Sequence, residues 1–168
     1  MSKQRIAVAG IVLSAMAFIG LVSHEGFTEN AVIPTKNDRP TVGYGSTFWE
    51  DSRPVKMGEK VTPVRALVVA QTHISKEEVV FRKSLPGVTL SQAEYDIYMD
   101  WVYQYGTGAW NSSTMRTHLL TSNYVTACAS MLKYKYSGGY DCSTPGNTRC
   151  AGVWTRQQKR YKACMEAQ

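Results

Sequence analysis

Between Ser23 and Thr47 the chain reads SHEGFTENAVIPTKNDRPTVGYGST, and the residues able to do chemistry concentrate there. Glu25 follows Val22 and Ser23 and is expected beside apolar surface, where desolvation disfavours the charged form of a carboxyl. A carboxyl held protonated can hand its proton to a leaving oxygen. Asp38 lies in a polar loop beside Lys36 and Arg39 and is expected to stay ionised. Two carboxyls in opposite environments can cleave a glycosidic bond: one protonates the leaving oxygen, the other stabilises positive charge on the sugar or helps to position water. Acids at this spacing are common, so a surface Glu and a loop Asp form the plain alternative.

The elements that would position these groups begin with an oddity. Ile6 to Val22 is a run of 17 residues without a charge, preceded by Lys3 and Arg5. Its length is at the lower limit of about 17–25 residues for a membrane-spanning helix. Seven of the 17 are Ala, Gly or Ser (Ala7, Ala9, Gly10, Ser14, Ala15, Ala17, Gly20), which weakens insertion relative to a Leu-rich span. Three readings stand side by side: a signal peptide cleaved after Ala17, a permanent anchor, and a segment inserted transiently that later packs as an ordinary helix. Export is common to all three.

Downstream, residues 31–47 are short, β-branched and broken by Pro34, Pro40, Gly43 and Gly45, which suits a small antiparallel sheet. The pattern then turns helical. Thr62-Pro63 opens a helix running to about Phe81, and Ser91 to Glu94 is a capping box before a helix ending at Gly106. Asn123 starts another helix, with Val125, Cys128, Ala129, Leu132 and Tyr136 on one face and Gly138-Gly139 as its stop. A basic helix covers about Trp154 to Glu166. The expected fold is α+β, mostly helical, with one small sheet near the N-terminus.

Composition narrows the classes. In 168 residues, 43% are hydrophobic, 11% aromatic and only 19% charged, which excludes wholesale disorder, collagen and coiled coil. Cys128, Cys142, Cys150 and Cys164 contain no CxxC pair, which argues against a zinc ribbon. An even count after an export segment reads as two disulfides. Sequence allows three connectivities; the turn formers between Cys142 and Cys150 favour that local pair, leaving Cys128 for Cys164. His24, His73 and His118 are too scattered for a metal site, and no cofactor is expected. The net charge of +6 and the cluster Arg156, Lys159, Arg160, Lys162 lack an aromatic-basic nucleic-acid motif. Attraction to an anionic cell envelope explains the same charge. Asn111-Ser112-Ser113 reads as a helix cap.

A resemblance sharpens the carboxylates. His24-Glu25-Gly26-Phe27, followed by Thr41-Val42-Gly43-Tyr44-Gly45-Ser46-Thr47, resembles the phage-type lysozymes of glycoside hydrolase family 24. Gln92-Ala93-Glu94-Tyr95-Asp96, Tyr103-Gln104-Tyr105-Gly106 and Trp154-Thr155-Arg156 extend the likeness over about residues 23–168. It implies a lysozyme-like catalytic domain over 23–168, behind an N-terminal segment over 1–22. It also implies a murein-hydrolysing endolysin that cuts the β-1,4 bond after N-acetylmuramic acid, with Glu25 as acid and Thr41 holding the attacking water. The family's aspartate would fall at Pro34 or Thr35; either Asp38 reaches its place by another loop path, the preferred reading, or Thr35 takes it. Gln104 replaces the usual Asn. Tyr44, Trp49 and Gln104 are the substrate-contact candidates.

Relatives of the signal-arrest-release type begin with a weakly apolar, Gly/Ala-rich helix, which implies a meaning for residues 6–22. The segment would be held in the inner membrane and freed to the host periplasm, after which Glu25 could join Asp38 and Thr41. Glu25 sits immediately behind the run, which favours this temporary anchor over cleavage or permanent anchoring. The expected partners are therefore peptidoglycan and, transiently, the inner membrane, with no nucleic acid and a monomeric protein. The rival readings are an exported, disulfide-stabilised envelope-binding module without catalysis, and a lytic transglycosylase.

Overall fold

The computed structural model describes residues 4–35 and 38–168. Lys3 and Lys36, which the sequence reading used as flanking charges, lie outside them. In chain order the elements are β1 (Ile6–Ala7), α1 (Ala15–Glu25), β2 (Thr28–Val32), β3 (Thr41–Gly43), α2 (Pro63–Lys83), β4 (Thr89–Leu90), α3 (Gln92–Asn111), α4 (Thr114–Leu120), α5 (Tyr124–Ser130), β5 (Tyr136–Ser137), β6 (Tyr140–Asp141) and α6 (Ala151–Glu166). The fold is α+β and mostly helical, as expected. Two compact units divide the chain: a central one, Leu13–Val79, and a terminal one of residues up to Val12 together with Val80–Gln168.

The apolar run does not form one helix. Ile6–Ala7 is a strand and Val8–Gly10 a 3-10 turn; only from Ala15 is the run helical. Ser14 has extended backbone and its hydroxyl accepts the N–H of Ala17, which is the capping that starts α1. Gly26, at φ 70°, ends it by taking a conformation that side-chain-bearing residues avoid. Among the described residues no helix is long and apolar enough to cross a membrane.

In the central unit, β2 and β3 pair antiparallel, Thr28 with Gly43 and Val32 with Thr41, with an irregularity between the two pairs. This is the small sheet that the β-branched, Pro/Gly-broken pattern led us to expect. Val42 packs into a core with Ala31, Trp49, Val55, Val61, Ala66 and Val69. Gly43 lies so near α2 that a Cβ there would stand 2.7 Å from the Cβ of Ala66, so only glycine permits this approach. The helix α2 opens at Thr62-Pro63 as expected, the Thr62 hydroxyl accepting the N–H of Arg65.

The terminal unit is built on aromatic packing. Phe81 meets Tyr95 and Trp110 at ring-centroid distances of 5.3 and 4.8 Å, and Trp101 stacks on Tyr105 at 4.6 Å. The Ser91 and Glu94 side chains cap α3 reciprocally, as the sequence indicated. Gly106, at φ 79° and ψ 160°, is non-helical, so the helix opened by Ser91 ends there as expected, and a second helical stretch follows it to Asn111. Ser113 caps α4 through the N–H of Arg116, in keeping with the cap reading of Asn111 to Ser113. The helix begun at Asn123 stops at Ser130, followed by a 3-10 turn. Tyr136 therefore belongs to the β5–β6 hairpin rather than to a helix face, and Val125 is exposed. Gly138 and Gly139, both at positive φ, turn the hairpin. Cys128 is bonded to Cys164 and Cys142 to Cys150, the pairing favoured from the sequence.

Candidate active site

Glu25 is the last residue of α1, and it is exposed to solvent. The apolar run ahead of it does not bury the carboxyl, contrary to the expectation from its neighbours. Its Oε2 lies 3.4 Å from where a Cβ on Gly45 would stand, so the carboxyl rests against the turn that follows β3. Gly45 is at φ 76°, a conformation that residues with side chains disfavour. The sequence names Gly45 as a strand breaker and a motif residue, and the structure adds that it neighbours the Glu25 carboxyl.

The β2–β3 hairpin presents the other candidates. Thr41, partly buried, opens β3 opposite Val32, and its hydroxyl donates weakly to the Val32 carbonyl at 3.4 Å. Asp38, exposed, lies in the connection between the two strands. Its Oδ2 accepts a hydrogen bond from the Thr35 hydroxyl at 3.1 Å and its Oδ1 accepts the Arg39 N–H at 2.9 Å, while its own N–H donates to the Thr35 carbonyl at 3.0 Å. Thr35 and Asp38, alternatives in the sequence reading, are thus two halves of one hydrogen-bonded unit. Glu25, Thr35, Asp38 and Thr41 all belong to the central unit.

The substrate-contact candidates fare differently. Tyr44 is half-buried, its ring 5.6 Å from that of Phe27, at the mouth of the same turn. Trp49 is 2% exposed, so it presents no ring face to a saccharide. Its indole N–H donates to Glu59 at 2.9 Å and Arg65 covers its ring at 4.3 Å. Trp49 is a core residue, and the correction has a cause: Glu59 gathers the Trp49 indole, the Arg53 guanidinium and the Lys56 N–H onto one carboxylate. Those bonds, led by the Lys56 N–H, hold Glu59 down to about 2. Gln104 is exposed on α3 in the terminal unit, and its side-chain carbonyl accepts from Arg160 at 2.7 Å.

Arg156 and Arg160 of the basic cluster on α6 both bind Asp100, while Lys159 and Lys162 of the same cluster are exposed. His73 donates from Nε2 to the Phe48 carbonyl at 2.8 Å, a structural bond that fixes the loop ahead of α2. Among the described residues no group of His, Cys, Asp or Glu could hold a metal ion.

With this geometry in place, comparison with known proteins is informative. The sequence model described as phage lysozyme matches residues 22–160. An endolysin from Escherichia coli O157:H7 phage FAHEc1 superposes with a TM-score of 0.77 at 22% identity, covering 95% of this chain and 96% of that one. A single-residue variant of P22 lysozyme gives 0.74 at 22% identity, with 92% and 99% covered. The active form of the P1 phage endolysin Lyz gives 0.71 at 15% identity, with 96% and 95% covered. At such identities the likeness is one of fold. Curated protein sequences give no match to this chain.

Proposed function

The chain belongs to the phage lysozyme family and is a peptidoglycan-hydrolysing endolysin, and from that premise we propose that Glu25, Asp38 and Thr41 carry out its reaction. The bond broken joins C1 of N-acetylmuramic acid to O4 of N-acetylglucosamine. Glu25 protonates O4 as that bond breaks, the ionised Asp38 stabilises positive charge developing on the muramyl ring, and the Thr41 hydroxyl holds the water that attacks C1. One water is consumed, its remaining proton passing back to a carboxylate. The observation that carries this reading is the placement of Glu25 against Gly45, on the turn that follows the strand opened by Thr41. Tyr44, beside that turn, would contact the sugar.

Replacing Glu25 by Gln keeps the shape and removes the proton. Turnover of purified murein by E25Q should fall by about 10²–10⁴-fold, the usual worth of a general acid, with an unchanged melting temperature. Unaltered turnover would remove Glu25 from the reaction and favour a binding module. Products lighter by one water, with 1,6-anhydro ends, would instead identify a transglycosylase.

The same reading extends to residues 6–22, as a temporary inner-membrane anchor that releases a monomeric enzyme to the host periplasm. What supports it is that the fold buries only part of the run. Ile6, Val12, Met16 and Ile19 are 48, 62, 77 and 52% exposed, so these apolar side chains contribute little to any core. Exposed apolar positions inside an uncharged run fit a segment that first sits in a bilayer.

A further inference from the structure

In the terminal unit one buried carboxylate is satisfied by a residue from the far end of the sequence. Glu94 is 1% exposed. The Arg5 guanidinium grips it with two nitrogens, Nε at 2.9 Å from Oε2 and Nη2 at 2.7 Å from Oε1. Nη2 also donates to the Gln168 side-chain carbonyl at 2.8 Å, and the Tyr124 ring lies under the guanidinium carbon at 3.8 Å. Gln168 in turn donates to Glu94 Oε1 at 3.0 Å and to the backbone carbonyl of Cys164 at 2.8 Å, which ties the arrangement to the Cys128–Cys164 disulfide. The Ser91 N–H, part of the α3 cap, completes the acceptors' set at 2.8 Å. A flat cation, a carboxylate fork, an amide at its edge and an aromatic face beneath it are the complement of guanidinium and of little else.

We propose that Glu94, Gln168 and Tyr124 form a guanidinium-binding socket whose occupant is Arg5, so that the N-terminal segment docks on the terminal unit as a removable ligand. Only two residue pairs of strand accompany it: Ile6 with Leu90 and Ala7 with Thr89. The docked segment then seats Val8 and Ile11, each almost wholly buried. With the segment docked, Glu94 is buried and loss of the Arg5 cation alone would be strongly unfavourable, whereas the filled socket satisfies the carboxylate. Resting on the temporary-anchor reading, the socket is empty while the run is held in the bilayer, and its filling draws the segment into the enzyme on release.

Chemical rescue of the purified full chain tests this. R5A should melt several degrees below the parent, and millimolar methylguanidinium should restore part of that loss, whereas methylammonium, which lacks the planar fork, should not. In the double variant R5A/E94Q methylguanidinium should do nothing. Should R5A fail to fold, R5K substitutes for it, with a melting temperature below the parent. A parental melting temperature in R5A or R5K, or an equal response of R5A and R5A/E94Q to methylguanidinium, would overturn the socket. The membrane reading has its own readout, the fraction of expressed wild-type chain that sediments with membranes. A chain that never sediments there sinks the anchor while leaving the socket to be decided by rescue.

Discussion

Thr35 and Asp38 show what a single side chain can contribute beside a proposed catalytic group. The Thr35 hydroxyl donates to the Asp38 carboxylate beside the Arg39 N–H, and a hydrogen bond to a charged group is worth up to about 1.5–3 kcal/mol. T35V should therefore lower kcat on murein roughly tenfold, with KM little changed, and T35S should restore it. Equal activity in T35V and the parent would show that the Thr35 hydroxyl does not position the carboxylate. Gly45 gives a second expectation. An alanine there meets a positive φ, costing about 1–2 kcal/mol, while its Cβ would stand in ordinary contact with the Glu25 carboxyl. G45A should lose that much stability in a denaturant titration. At this scale the T-V-G-Y-G motif marked the turn after β3 against which the Glu25 carboxyl rests. The sequence was unreadable where a partner comes from elsewhere, as with Trp49, whose indole is claimed by Glu59 from a loop ten residues on.

Elements were legible where their start and stop chemistry is local. Pro63 at the first position of α2 and the reciprocal Ser91 and Glu94 bonds of α3 are written within four residues of each helix end. The β1–β4 pair is not, because a strand two residues long, paired across more than eighty positions, leaves no periodicity. Tyr136 misled because its spacing fits a helix face while the Gly138-Gly139 turn commits it to a hairpin. The two disulfides tie elements together unequally. Cys128–Cys164 spans 36 residues between α5 and α6, and Cys142–Cys150 spans 8. Loop-closure entropy assigns them roughly 4 and 2.5 kcal/mol, so a C128S/C164S variant should show the lower denaturation midpoint of the two double-serine proteins. Between α3 and α6, burial alone would raise the Asp100 carboxyl, but Arg160 and Arg156 bind it and hold it below the usual carboxylate range. A carboxyl depressed in the folded state stabilises above its unfolded titration range, and that stabilisation is lost as pH falls through the folded value. Melting temperature should therefore drop on acidification below about pH 4. D100N, less stable near neutrality, should show a shallower acid limb in the same titration of melting temperature.

The whole molecule has to satisfy two solvents with one N-terminal sequence, if the run over residues 6–22 is a temporary anchor. In water the fold needs Val8, Ile11, Leu21 and Val22 for its cores, and it leaves Val12, Met16 and Ile19 in solvent. In a bilayer every one of these positions counts, and the small residues keep the insertion weak enough to reverse. The structure shows how to separate the two demands. A Cβ added at Gly10 or Gly20 meets nothing within 4 Å, so neither glycine is required by packing, and neither has a positive φ. Gly20 lies inside α1, where a better helix former gains up to about 1 kcal/mol. Ser14 is different, because its hydroxyl caps α1, and replacing it would confuse a membrane effect with a folding one. G10L/G20L is thus expected to be no less stable than the parent once purified, and to cleave murein at the parental rate. In cells the same variant should stay with the membrane fraction and delay lysis, since two leucines each favour insertion by several tenths of a kcal/mol to more than 1 relative to glycine. Fractionation of expressing cells alongside melting of the purified protein reads both quantities. A variant released as readily as the parent would show that membrane escape is not governed by the hydrophobicity of this run, and the temporary-anchor reading would fall with it.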